Sequence, residues 1–143
     1  MPHTARLQAA GLTAPTVLAL VAALSMLQPL ATDLYLPSLP GLAAAFGTDA
    51  ATVQWTLSVF VAAFGVWQLV AGPLSDRIGR VPVVLGGLAT FCAASLLCML
   101  APTIEVLVAG RLLQAVGACS VLVGTRGLVR DLYAPAEGAR VLA

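Results

Sequence analysis

Four apolar stretches, each about as long as the helix needed to cross the ~30 Å hydrocarbon layer of a bilayer, take up most of this 143-residue chain. They run over residues 12–36, 51–71, 81–100 and 104–125. Each gap between them carries turn chemistry: Pro37, Pro40, Gly41 and Gly47, then Gly72, Pro73 and Gly79, then Pro102. In lipid every backbone N–H and C=O must be satisfied internally, and runs of this length do so only as helices. The sequence therefore predicts an all-α membrane protein of four transmembrane helices. The composition agrees: 60% of residues are hydrophobic, 9% are charged, and mean hydropathy is +1.00.

The arginines give the direction of the spans. Arg6 precedes the first, Arg77 and Arg80 lie between the second and third, and Arg126, Arg130 and Arg140 follow the fourth. The other two gaps hold no arginine, so basic residues fall on alternate sides, and the positive-inside rule puts both ends and the second gap in the cytoplasm. Arg6 followed by an apolar run also fits the opening of a secretory signal. The run is too long for one, however, and lacks a small-residue cleavage site before Asp33 and Tyr35. With a formal charge of +1 and no basic patch interleaved with aromatics, nothing points to a nucleic-acid partner. Cys92, Cys98 and Cys119 lie in apolar surroundings without metal-ligand spacing and read as small buried hydrophobes.

The seventh arginine, Arg111, lies inside the fourth span, where burying it costs at least ~2.5 kcal/mol unless it faces a partner or a polar cavity. Counted from the span ends at ~1.5 Å per residue, Arg111 and Asp33 lie about 10 and 5 Å below the same surface, within an arginine's reach of each other. A buried Asp33–Arg111 pair is one reading, in which Asp33 carries the exchangeable proton because arginine does not deprotonate. An aspartate at headgroup level and a snorkelling arginine is the other. Gly110, Gly117 and Gly124, spaced by seven, form a strip along which a neighbouring helix can approach closely, and Gln114 adds a polar group one turn from Arg111. On the second span Gln54, Ser58, Val61, Gly65, Gln68 and Gly72 share one face, which suits either another helix or a water-filled path. Trp55 and Tyr35 fall where an outer aromatic belt would anchor the chain.

The second gap, "GPLSDRIGR", holds Asp76, Arg77 and Arg80 among glycines and a proline. Gly72 and Pro73 are expected to close the second span, and Pro82 suits the first turn of the third. Asp76 has Arg80 four residues on, so a local ion pair is available, and its carboxylate also suits a helix N-terminus. A tether would need the arginines but neither the aspartate nor the glycines.

These stretches resemble the major facilitator superfamily of transporters. "GPLSDRIGR" matches that superfamily's loop signature between helices two and three, with Gly72, Leu74, Asp76, Arg77, Gly79 and Arg80 in place and Val81 where a second basic residue is usual. "LVAGRLLQAVGA" is similar to the helix-four motif of its proton-coupled antiporters, with Arg111, Gln114 and Gly117 matching and Ala115 where glycine is usual. "DLYLPSLPGLAAAFG" and "RDLY" resemble the drug:proton antiporter group, closest to its bicyclomycin-resistance (Bcr/CflA) branch. The resemblance implies four helices from the N-terminal six-helix half of a twelve-helix transporter, with "EGARVLA" as a fifth helix cut short.

It also implies a function: a proton-coupled multidrug efflux antiporter of the bacterial inner membrane, monomeric when complete, moving a drug-like molecule. Asp33 and Arg111 would be the proton-coupling pair. Gly72, Asp76, Arg77, Gly79, Arg80 and Asp131 would form a conformational latch. Gln54, Ser58, Gln68 and Gln114 are candidate cavity-lining residues. The proton is the coupling ion, with no cofactor or metal, and the chain's partners are lipid, substrate and the remaining helices. A metabolite transporter of the same superfamily, a small dimeric four-helix exporter and a non-transporting membrane remnant are the alternatives. No enzyme constellation is present: His3 stands alone, and no serine has a histidine and carboxylate to work with.

Overall fold

The computed structural model describes residues 14–132. Helix α1 (Ala14–Ser25) and α2 (Leu27–Asp33) are followed by a 3-10 turn (Leu36–Ser38) and α3 (Leu39–Phe46). Three long helices follow: α4 (Ala50–Ile78), α5 (Arg80–Met99) and α6 (Ile104–Leu132). Four helical segments have the length and apolarity to cross a membrane, namely Ala19–Phe46, Ala50–Ile78, Arg80–Met99 and Ile104–Asp131. With the family evidence below, this is a multi-pass membrane protein.

The first segment is broken where prolines dictate. Pro29 has no N–H to offer the Ser25 carbonyl, and the helix is interrupted at Met26. The axis nonetheless continues, since Met26 donates to Ala22 O and Leu30 donates to Met26 O at 3.1 and 3.0 Å. Pro37 and Pro40, expected to end the span, instead open the 3-10 turn and α3. A proline in a helix's first turn forfeits only an N–H that has no intrahelical partner. The helical path therefore reaches Phe46, where Gly47 ends it with φ 60°. Asp49 then caps α4, accepting from the Thr52 amide at 3.0 Å.

The largest difference from expectation concerns "GPLSDRIGR", which is almost wholly helical. α4 runs through Pro73 to Ile78, and α5 begins at Arg80. Only Gly79 leaves the helix, at φ 105° and ψ 157°. That backbone region is essentially glycine's own, so a single residue turns the chain between two membrane helices. α6 likewise continues past Thr125, carrying Arg126, Arg130 and Asp131 as helical residues.

α6 is the hub. In its most apolar stretch 61% of residues are buried in the bundle, against 11 to 17% for the other three spans. It packs most extensively on α5 and then on α4, which barely touch each other, and more lightly on α1 and α2. The glycine strip is the reason. A methyl group at Gly117 would lie 2.6 Å from the Phe91 amide nitrogen and 2.7 Å from the Gly87 carbonyl, so the α5 and α6 backbones nearly touch there. Methyls at Gly110, Gly124 and Gly127 would strike Cys98, Val84 and Arg80. Hydrocarbon supplies no hydrophobic drive between helices, and such close contact is what holds them together. At the centre, Phe60 of α4 meets Ala115 and Ala118, with Ala31, Phe64 and Phe91 packed around them.

Candidate functional site

Two clusters of polar side chains are built where these helices meet. The first surrounds Arg111, which is 7% exposed. Its Nη1 donates to the Ala31 carbonyl at 3.3 Å, across from α6 to α2. Its Cζ sits 3.4 Å from the centre of the Tyr35 ring, a cation–π contact. Its Nε is buried with no hydrogen-bond partner. Tyr35 lies in the break between α2 and the 3-10 turn and is itself buried, so it is no belt residue. Its hydroxyl is hydrogen-bonded to Thr56 of α4. Because Thr56 Oγ1 donates to Val53 O at 2.6 Å, the tyrosine is the donor in that bond. Trp55, by contrast, is exposed as a belt residue would be.

Asp33 is not paired with Arg111 here. It is exposed, and among the described residues no ion pair joins it to any cation. The physical reason is local: Ala31 and Tyr35 are four residues apart, with right-handed helical backbone at Leu34 and Tyr35, so they share the face that meets the guanidinium, and Asp33 between them does not fall on that face. Gln114 is buried too, but it faces α5 rather than a cavity, donating to Ser95 Oγ at 2.8 Å. Cys98 Sγ lies 3.9 Å from Gln114 Oε1. Of the cysteines only Cys119 is buried, whereas Cys98 is half-buried and Cys92 is exposed on α5.

The second cluster sits where α4 ends, α5 begins and α6 ends. Arg80 ion-pairs with Asp76 one turn earlier, and its Nε lies 3.1 Å from Asp131 Oδ2. Its Nη1 donates to the buried Ser75 Oγ at 3.1 Å. One guanidinium thus ties three helix ends together, with its planar fork of donors spread over three acceptors. Arg77 is exposed beside it. Gly72 has nothing within 4 Å of where a side chain would start, so its place in the motif is not a packing requirement among the described residues.

The second-span stripe lies on an open face. Gln54, Ser58, Gly65 and Gln68 are exposed, turned away from α6. Sequence reasoning missed Tyr35, Thr56, Ser75 and Ser95 as partners, and also the Trp67 indole, which donates to Ser120 Oγ at 2.9 Å between α4 and α6. Gly127, three residues beyond Gly124, was the one legible extension of a pattern already seen.

The model of the Major Facilitator Superfamily matches residues 11–143. This chain belongs to that superfamily. Its members are transporters rather than enzymes, and the relatives of this chain include drug-resistance proteins. It is 44% identical over 129 residues to a chloramphenicol resistance protein of Pseudomonas aeruginosa, covering 90% of this chain and 30% of the relative. It is 38% identical over 120 residues to the multidrug resistance protein MdtL of Escherichia coli, covering 84% and 31%. It is 39% identical over 118 residues to the MFS-type transporter YdgK of Bacillus subtilis, covering 82% and 29%. The chain thus spans about 30% of the length of these curated relatives. No solved structure matches it.

Proposed function

We propose that these spans are the N-terminal part of a proton-coupled drug efflux antiporter of the bacterial inner membrane, with the N-terminus in the cytoplasm. The observation that carries the reading is Arg111. It is a cation buried in a membrane bundle with a carbonyl, a ring and one orphaned N–H, and among the described residues no carboxylate is ion-paired with it. A buried charge so incompletely matched is costly, and Asp33, two residues after the Ala31 whose carbonyl Arg111 holds, is the carboxylate that can complete it. Deprotonated Asp33 draws Arg111 to itself; protonated Asp33 releases it to the partners seen here. A proton arriving from outside is thereby exchanged for a change in how α6 is held against α2, and drug release outward follows from that change. The exposed Gln54, Ser58 and Gln68 face the substrate path or the helices of the remaining chain. The Arg80 cluster, at the cytoplasmic end, latches that side while the other is open.

The name of one relative, the chloramphenicol resistance protein, suggests chloramphenicol as the first compound to try. In everted vesicles carrying the complete transporter, an imposed pH gradient is expected to drive chloramphenicol accumulation. Asp33→Asn should abolish the gradient-driven part while leaving exchange of labelled for unlabelled drug. Accumulation that ignores the gradient, or that survives Asp33→Asn intact, would overturn proton coupling through Asp33. Accumulation of an amino acid or sugar instead of drug would favour the metabolite reading.

A further inference from the structure

We propose that Tyr35, held by Thr56, is a positioning residue that competes with Asp33 for the Arg111 guanidinium and so sets the pH at which the transporter works; this rests on the antiport reading above. Three contacts place it in that role. The guanidinium lies over the ring, its Cζ 3.4 Å from the ring centre. Its hydroxyl is fastened to Thr56 on α4, which bonds back to its own helix through Val53 O. Its backbone lies two residues after Asp33, where the chain stays right-handed helical and the Tyr35 amide donates to Thr32 O at 3.2 Å, so ring and carboxylate hang from one short stretch. The arginine already bonds the Ala31 carbonyl, two residues before Asp33, so that stretch offers it two alternative resting places, the neutral ring and the carboxylate.

The competition has a definite sign. A proton and Arg111 contend for the Asp33 carboxylate. While Tyr35 holds the arginine, the proton meets less competition. If the ring is removed, Arg111 turns to Asp33 more readily, and a higher proton concentration is needed to displace it. The remaining groups around Arg111 do not supply this effect. α1 carries no titratable residue, α4 presents the uncharged Thr56, α5 presents the Cys98 thiol, and on α6 Glu105 lies nearly two turns toward the helix start.

The test is the pH profile of gradient-driven drug uptake by the complete transporter in proteoliposomes, wild type against Y35L, Y35F and T56V. A desolvated cation–π contact is strong enough that Y35L should move the half-maximal pH about one unit toward acid. Y35F keeps the ring and should restore most of it, leaving a shift of about a third of a unit, and T56V should match Y35F. If Y35L does not reach the membrane, Y35M carries the same expectation. A purely structural role for Tyr35 would lower the maximal rate at every pH without moving the midpoint. That result, with wild-type uptake intact, overturns the proposal. Wild-type uptake that does not respond to the gradient overturns instead the antiport reading on which it rests.

Discussion

At Gly117 a single hydrogen atom in place of a methyl decides how close two helices can come. The α5 backbone lies where a Cβ would have to be, and backbone cannot step aside as a flexible side chain can. Gly117→Ala is therefore expected to destabilise the bundle by about 1–3 kcal/mol, read as a lower midpoint in thermal unfolding of the detergent-solubilised protein. Gly65→Ala, at an open position on α4 with nothing within 4 Å, is the control and should be neutral or gain up to about 1 kcal/mol. Equal effects at the two sites would contradict the packing assignment. The strip was legible because a spacing of seven on a helix is geometry that needs no knowledge of the neighbour. Tyr35 was misjudged for the opposite reason. Its depth could be counted from the end of the apolar run, but its direction depends on the helical backbone continuing through residues 34–35, which keeps the ring on the face of Ala31, under Arg111.

The junction between α4 and α5 shows what turn residues do at the scale of an element. Glycine and proline in "GPLSDRIGR" suggest a loop by composition, yet Pro73 is absorbed into α4 at the cost of one hydrogen bond and only Gly79 breaks the helix. Asp76, Arg80 and Asp131 then meet because helix geometry carries them there: Asp76 and Arg80 are one turn apart, and α6 extends far enough to bring Asp131 alongside. The Asp76 and Asp131 carboxyls are 59% and 43% exposed, so each ion pair is worth about 0.2–1 kcal/mol, enough to bias a conformational equilibrium but not to hold the fold. The rigid part of the junction is Gly79. Gly79→Ala places a side chain at φ 105° and is expected to cost about 1–3 kcal/mol locally. Hydrogen exchange should then rise tenfold or more at the amides of residues 75–81 and stay unchanged near Ala118 in the middle of α6. Unchanged exchange at the junction would mean that the strain is relieved elsewhere.

Across the whole molecule, the span count and the alternation of arginines could be read from the sequence alone, because the bilayer sets the length of the apolar runs and lipid forbids stray charge. The open faces could not. Only the fold shows that Gln54, Ser58 and Gln68 are turned away from α6 while Gln114 is spent on Ser95. Nor does residue depth reveal which of two neighbours a buried arginine chooses. The central claim is that drug and proton exclude one another through Asp33 and Arg111. It is tested most directly by adding a transported drug to the complete, detergent-purified transporter in weakly buffered solution and measuring the pH change. Binding should release protons from the wild type and none from Asp33→Asn, at comparable drug occupancy. Saturating drug binding to the wild type without proton release would contradict the account.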